Sequence, residues 1–270
     1  MVNWIRRHSL AAYFILAYLI SWATWSPLVL SARGLIRLEI HPAWHLTGAF
    51  GPLLSALIVT ALTGGLDGVR EFIGRTFRWR VGIMWWLVAI SPIALYLIAV
   101  LISGLIEGSF SFEGFGKVNE LPDLYWPIGW LVMILTFGLG EETGWRGFAL
   151  PRMQARRSAM SATLILVVFW LGWHAPAFFY KESFIEMGFL GAIGWAVSIA
   201  FGAIFLTWLY NSSRASTLMV IIWHGTFNAA VSATGGNIAM ITSIMVIIWA
   251  VVISQRCGPA ELSCTGKHTL

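Results

Sequence analysis

The stretch WPIGWLVMILTFGLGEETGWRG, residues 126–147, determines how the rest of the chain is interpreted. An apolar run of the kind that enters a lipid bilayer leads directly into two adjacent carboxylates, Glu141 and Glu142, followed by Arg146. Holding ionisable side chains at the rim of a membrane segment is energetically costly, so residues of this kind are candidates for function. The simpler interpretation is that the two glutamates mark the point where a helix leaves the lipid. Polar residues in later apolar segments decide between the two.

Composition identifies the class of protein. Of the 270 residues, 58% are hydrophobic and only 11% are charged, and the mean hydropathy is +0.78. Soluble domains carry about 25% charged residues, so the composition predicts an all-α polytopic membrane protein. A formal charge of +5 alone would suggest nucleic-acid binding, but the placement of the basic residues explains it better and predicts no nucleic-acid partner. Cys257 and Cys264 have no zinc-site spacing and are interpreted as ordinary thiols, with a disulfide between them as the less favoured alternative.

Eight apolar segments approach the ~20 residues that a helix needs to cross a bilayer. The first is too long for a signal-peptide core and is predicted to be a retained helix. The chain is therefore interpreted as a single transmembrane domain over residues 1–270, with a catalytic motif region at 126–231 and a short cytoplasmic tail at 255–270. The predicted spans are Leu10–Leu30, Ala43–Leu62, Val81–Ile106, Trp126–Gly140, Ser158–Ala175, Met187–Tyr210, Ser216–Ala233 and Ile238–Ser254.

The distribution of basic residues predicts the orientation. With a cytoplasmic N-terminus, most basic residues fall in inner segments, as the positive-inside rule requires, and both termini are cytoplasmic. Because the fourth span is taken to end at Gly140, Glu141 is predicted to lie toward the cytoplasmic side of a cell membrane. The inner set is Arg6, Arg7, Arg70, Arg75, Arg78, Arg80, Arg146, Arg152, Arg156, Arg157, Arg214, Arg256 and Lys267, and the outer set is Arg33, Arg37, Lys117 and Lys181.

Polar side chains recur on three of the predicted spans with helical spacing. Residues four apart share a helix face, which pairs Glu142 with Arg146 and His224 with Asn228. Trp170 and His174 have the same spacing on the fifth span. Arg146 can then neutralise Glu142 and leave Glu141 free for chemistry. His8, His41, His45 and His268 lie in or beside loops and are assigned no role.

These groups are suited to activating water. A carboxylate in a partly dehydrated pocket can act as general base or acid, and a neighbouring histidine can share the proton. His224 and Asn228 could donate hydrogen bonds to a developing oxyanion. Alternatively, Glu141, His174 and His224 would suffice as zinc ligands with an open fourth position, although they do not require zinc. Each polar pair could also be a helix–helix contact without catalytic function.

The three motifs together resemble the CAAX protease and bacteriocin-processing (CPBP, or Abi) family of intramembrane proteases, which includes the Ras-converting CAAX endopeptidases. Its Glu-Glu-x-x-x-Arg motif matches Glu141, Glu142 and Arg146. Its Phe-x-x-x-His motif matches His174 with Trp170 in place of Phe, and its His-x-x-x-Asn motif matches His224 and Asn228. The resemblance covers roughly residues 126–231. The tryptophan is interpreted as a change at a packing position.

The resemblance implies an endopeptidase that acts on a membrane-associated or lipidated substrate, with CAAX-type processing of the C-terminus. Glu141 and His174 would activate the water, His224 and Asn228 would stabilise the oxyanion, and Glu142 with Arg146 would hold the site together. Both a zinc-dependent and a metal-free glutamate mechanism agree with the family pattern. The alternatives are a non-catalytic membrane scaffold or immunity protein on the same fold, and a proton-coupled transporter. The transporter is disfavoured because the sequence contains no matched pair of interrupted helices.

Overall fold

The computed structural model describes residues 2–234 and 236–270, and over those residues the protein is helical and contains no β-strand. The predicted all-α fold class is confirmed. Two π-helical segments, Ile134–Glu141 and Trp145–Ala149, and a 3-10 turn, Ala175–Phe179, interrupt or extend the α-helices. In chain order, α1 to α14 are Val2–Arg7, Ser9–Ala32, Trp44–Gly48, Gly51–Thr76, Ile83–Ala89, Pro92–Glu107, Trp126–Met133, Glu142–Gly144, Leu150–Gln154, Ala159–Trp173, Glu182–Ile185, Gly188–Ser212, Thr217–Val231 and Gly236–Cys257.

The described helices have the length and hydropathy of a multi-pass membrane protein. Five segments are long and apolar enough to cross a bilayer: Ser9–Ala32, Trp44–Thr76, Ala159–Phe179, Gly188–Ser212 and Gly236–Cys257. The bent pair α5 and α6 brings the number of such spans to six. The two other predicted spans correspond to the shorter apolar helix α13 and to a segmented helix over residues 126–154.

Two of the apolar helical segments are broken where the backbone chemistry allows it. Gly65 adopts φ 62° and ψ −159° inside α4, a conformation that glycine accepts and other residues resist. Between α5 and α6 the helix axis bends by 45°, and Pro92 stands at the start of α6. Because proline lacks an N–H and is tolerated in the first helical turn, this is where a new helix can begin.

The helix that carries the two glutamates continues past Gly140, the residue at which the predicted fourth membrane span ends. Residues 126–154 form one helical path in which π-helical segments flank the short α8, Glu142–Gly144. The path can continue because the charged residues after Gly140 are paired inside the protein. Glu141 is only 2% exposed, and Glu142 and Arg146 are 0% exposed. Glu141 therefore lies near the middle of this helical path.

Connections between the helices meet at two opposite ends of the bundle. At the first, here called the basic end, the connections 77–82 and 213–216 are joined by a hydrogen bond from Ser216 Oγ to Arg78 O, and Lys267 Nζ donates to Arg157 O. At the second, here called the acidic end, Lys181 Nζ contacts Glu120 Oε1 at 2.5 Å.

The two ends differ sharply in charge. The basic end carries twelve of the seventeen Lys and Arg residues, and the acidic end carries four, with Arg146 in the interior. Seven of the twelve acidic residues lie at the acidic end, namely Glu39, Glu107, Glu113, Glu120, Asp123, Glu182 and Glu186, against Asp67, Glu71 and Glu261 at the basic end.

The C-terminal segment is fixed to the basic end. Cys257 and Cys264 form a disulfide, which corrects the interpretation of these residues as free thiols. The side-chain amides of Gln154 and Asn211, both fully buried, pair with each other and donate to the backbone carbonyls of His268 and Glu261. The segment after α14 therefore completes the packing of helices α9 and α12.

Candidate active site

Close contact between the 126–154 helix and α13 brings their polar residues together. A Cβ atom added at Gly138 would lie 2.4 Å from Ile221 O, and one added at Gly225 would lie 2.4 Å from Ile134 Cα. Only glycine allows the two helices to approach this closely, an arrangement common between membrane helices. The approach places His224, the residue before Gly225, beside Glu142.

Glu142 is the centre of a fully enclosed charged group. Its Oε1 accepts a hydrogen bond from Arg146 Nη1 at 2.9 Å and lies 2.7 Å from His224 Nδ1. The Arg146 guanidinium also lies over the Trp170 ring, 4.4 Å from its centre. The predicted pairing of Glu142 with Arg146 is confirmed, and this carboxylate faces the interior of the protein.

Glu141 has a different environment, because it lines a cavity. Its Oε2 accepts a hydrogen bond from the indole N–H of Trp170 at 2.6 Å. Over the described residues its Oε1 has no hydrogen-bond partner within the protein. One oxygen of this carboxylate is therefore held by the protein while the other is available to a molecule in the cavity.

His174 follows the last residue of α10 and lines the same cavity. Pro176, two residues later, cannot supply the N–H that a continuing helix would need, and α10 accordingly ends at Trp173. The Nδ1 atom of His174 lies 2.7 Å from Trp170 O. A carbonyl oxygen only accepts hydrogen bonds, so Nδ1 carries the proton and Nε2 of the neutral ring is an acceptor.

His224 and Asn228 share one face of α13, as their spacing predicted. Asn228 Nδ2 lies 3.4 Å from His224 Nε2, and both residues line the cavity. Trp170 connects this pair to the rest of the site, because its ring packs edge-on against that of His224 at 5.5 Å. The carboxylate of Glu141, both imidazoles and the amide of Asn228 thus surround one space.

That space is a cavity of about 860 Å³ between α10, α12, α13 and α14. Glu141, His174, His224 and Asn228 supply polar groups to walls that are otherwise mostly aromatic and aliphatic. A few polar groups converging in an apolar cavity are typical of a ligand or substrate site. Glu142 and Arg146 stand behind Glu141 and do not line the cavity.

The donor set does not fit a zinc ion in the arrangement that the structure shows. Among the described residues, no three His, Cys, Asp or Glu side chains converge as metal ligands. Nδ1 of His224 faces Glu142, and its Nε2 faces Asn228, so neither nitrogen is directed at a shared metal position with Glu141 and His174. The ligand set Glu141, His174 and His224 remains a prediction from the sequence.

The cavity reaches the acidic end of the bundle. Asn119, Glu120, Lys181 and Ser183, all from connections at that end, contribute to its wall. The charge distribution assigns these connections to the outer side, whereas Glu141 was expected toward the cytoplasmic side. The side of the membrane that the cavity faces stays a prediction.

Sequence reasoning missed two features of the site. Trp170, interpreted as a packing substitution for phenylalanine, also donates a hydrogen bond to Glu141. His45, assigned to a loop, is buried and lines the same cavity. The role of Trp170 could have been suspected, because its indole N–H is a hydrogen-bond donor that phenylalanine lacks. Nothing in the sequence pattern indicated that His45 lines the cavity.

Comparison with known proteins agrees with this site. The family described as "Type II CAAX prenyl endopeptidase Rce1-like" matches residues 123–230, a range that contains every residue of the three motifs. The chain is a multi-pass membrane protein, and residues 123–230 are similar to this family of CAAX prenyl endopeptidases. The chain is also similar to the CAAX prenyl protease 2 of Methanococcus maripaludis. The two are 25% identical over 223 residues, which cover 80% of this chain and 81% of the relative.

Proposed function

We propose that the protein is an intramembrane endopeptidase that uses Glu141 and His174 to activate a water molecule. The observation that supports this most directly is that Glu141, with its free Oε1, and His174, with its acceptor nitrogen Nε2, line the same cavity. Similarity to a family of CAAX prenyl endopeptidases over residues 123–230, and to a CAAX prenyl protease over most of the chain, supports the same conclusion.

The proposed reaction balances without a further group. Glu141 accepts a proton from the water as its oxygen attacks the peptide carbonyl carbon, and His174 Nε2 orients the water by accepting its second hydrogen. The new oxyanion accepts a hydrogen bond from the Asn228 amide beside His224. When the C–N bond breaks, Glu141 returns its proton to the leaving amine. Glu142 and Arg146 hold the helix and His224 in place and do not contact the substrate.

The substrate we propose is a membrane-anchored peptide or protein, with the CAAX-type C-terminal processing that the family resemblance implies. Apolar walls of the cavity suit a segment that is partly embedded in lipid. The relative from Methanococcus maripaludis carries the name of a prenyl protease, which makes a prenylated peptide the appropriate first probe.

The test is cleavage of a quenched fluorescent peptide with a prenylated C-terminal CAAX sequence by the purified protein in detergent. Removing the general base or its partner, in Glu141→Ala or His174→Ala, is expected to reduce kcat/KM by at least about a hundredfold. His41→Ala, at an exposed histidine in the connection before α3, is the control and should cleave at the wild-type rate. Normal turnover by both site variants would reject the proposal and favour the scaffold interpretation.

A second arm of the same assay addresses metal. The protein is dialysed against a chelator, its metal content is measured, and cleavage is compared before and after addition of zinc. Because the donor set does not fit zinc, we expect the chelated protein to retain activity. Activity that disappears on chelation and returns with one zinc per chain would contradict the metal-free mechanism while leaving the peptidase function intact.

We propose a prokaryotic cell membrane as the location, with the basic end in the cytoplasm and the cavity open toward the opposite side. Twelve basic residues against four is the asymmetry that the positive-inside rule describes. The disulfide Cys257–Cys264 lies at the basic end and weighs against this orientation, because disulfides are rare in the cytoplasm. The charge asymmetry is spread over many loops, whereas the disulfide is one pair, so we give the charges priority.

Thiol labelling tests this orientation. In a Cys257→Ser/Cys264→Ser background, Ser111→Cys at the acidic end should react with a membrane-impermeant maleimide in intact cells. Ala155→Cys at the basic end should react only after the cells are permeabilised. Both positions are exposed on the protein, so burial would not explain a difference. The reverse labelling pattern would place the cavity on the cytoplasmic side.

A further inference from the structure

His45 is a buried histidine that belongs to none of the three motifs. It is 7% exposed, lies in the short helix α3, and is outside the range matched by the protease family. It nevertheless lines the cavity that contains Glu141 and His174. A polar side chain in such a position needs a partner or a function, because burying an unused hydrogen-bonding group costs free energy.

Three contacts fix the orientation of His45. Its Nδ1 lies 2.6 Å from the hydroxyl of Tyr180, and its backbone carbonyl accepts a hydrogen bond from the indole N–H of Trp25 at 2.8 Å. The imidazole also stacks on the Trp25 ring at 5.5 Å, with 14° between the planes. The ring therefore has one defined orientation in the cavity wall.

The same aromatic groups connect His45 to the catalytic residues. The Trp25 ring lies 4.7 Å from that of Trp173, which precedes His174. On its other side the imidazole lies 5.9 Å from the ring of Phe137, four residues before Glu141. His45 is thus close to both elements that carry the proposed water-activating pair.

Tyr180 is itself held in place at the acidic end. The next residue, Lys181, forms an ion pair with the buried Glu120 and so ties this connection to residues 108–125. Among the described residues, the Tyr180 hydroxyl has no hydrogen-bond partner other than Nδ1 of His45. Its proton therefore has that nitrogen as its acceptor, which leaves the N–H of the neutral imidazole on Nε2.

Over the described residues, Nε2 of His45 has no hydrogen-bond partner in the protein. We propose that His45 is a substrate-binding residue whose Nε2–H donates a hydrogen bond to a main-chain carbonyl of the peptide in the cavity. Tyr180 is the positioning residue that selects this tautomer and holds the ring. The inference rests on the proposed peptidase function. It adds a substrate contact from α3, which carries none of the three motifs.

Steady-state cleavage of the prenylated CAAX peptide tests the inference. His45→Leu removes the donor, and Tyr180→Phe keeps the aromatic ring but removes the hydroxyl that holds the imidazole. Loss of one neutral hydrogen bond to the substrate should raise KM by about three- to tenfold. We expect kcat to stay within twofold of wild type, since neither residue takes part in the proton transfers. Control measurements use His41→Leu, which should change neither constant, and thermal unfolding of each variant.

The outcomes separate this inference from the proposed function. A double variant that is no worse than His45→Leu alone would support action of Tyr180 through His45. Unchanged KM in both single variants, with Glu141→Ala inactive, would overturn the role of His45 and leave the peptidase function standing. A lower kcat at constant KM, in proportion to lost folded protein, would also overturn it and assign these residues to folding. Full activity of Glu141→Ala would instead reject the proposed function and this inference with it.

Discussion

Glu141 and Glu142 are neighbours in sequence but occupy opposite environments. Glu142 has Arg146 at 2.9 Å and His224 at 2.7 Å, and it has no access to the cavity. Among the residues that the structure describes, Glu141 accepts a side-chain hydrogen bond from the indole of Trp170 alone, and it lines the cavity. The comparison shows how a buried helix can carry two carboxylates: one is neutralised as part of the protein interior, and the other is left available.

The difference has an energetic meaning. A buried carboxylate with a guanidinium partner is tolerated because the attraction between them offsets much of the desolvation cost. A carboxylate with only a neutral donor is less compensated and is more reactive toward a proton. Folding should therefore depend mainly on the Glu142 side of the helix, and catalysis mainly on the Glu141 side.

The largest effect is expected from breaking the interior pair. Arg146→Leu leaves the Glu142 carboxylate buried without its cation, which should cost roughly 3–5 kcal/mol of stability. We expect a large fall in the thermal unfolding temperature in detergent, and loss of activity that follows loss of folded protein. The double variant Glu142→Leu/Arg146→Leu should unfold at a higher temperature than Arg146→Leu alone, because no uncompensated charge remains.

A surface pair provides the matched control. Asp67 and Arg70 also form an ion pair between an acid and an arginine on a helix, but their side chains are 95% and 80% exposed. Exposed pairs contribute little to stability, so Arg70→Leu should leave the unfolding temperature close to wild type. A similar loss in Arg70→Leu and Arg146→Leu would contradict the assignment of Glu142 and Arg146 to a special interior role.

The sequence predicted much of this arrangement from two kinds of pattern. Hydropathy identified the helical membrane class, and spacing of four residues correctly paired Glu142 with Arg146 and His224 with Asn228. Both predictions depend on local geometry, since residues four apart share a helix face whatever the tertiary structure is. The convergence of three helices on one cavity was expected from the motifs and is present in the structure.

Other features depended on contacts between distant residues and could not be predicted in this way. Charged residues normally mark the edge of a membrane helix, but here the helix continues far beyond Gly140 because Glu142 and Arg146 pair with each other inside the protein. His45 reaches the cavity only because Trp25 and Tyr180, far apart in sequence, pack around it. A pattern along the chain carries no information about such tertiary contacts.

The smaller effect concerns the donor on the Glu141 side. Trp170→Phe keeps an aromatic ring between Arg146 and His224 but removes the indole N–H that donates a hydrogen bond to Glu141. A hydrogen bond to a charged group contributes about 1.5–3 kcal/mol, so kcat should fall by roughly ten- to a hundredfold with KM unchanged. The unfolding temperature should change far less than in Arg146→Leu, because the interior ion pair is intact.

Trp195→Phe is the control: Trp195 packs against His174 at 5.3 Å, and its indole donates no hydrogen bond within the described residues. If both tryptophan variants kept the wild-type kcat, Trp170 would serve only as packing, and the contrast between the two carboxylates would rest on access to the cavity alone.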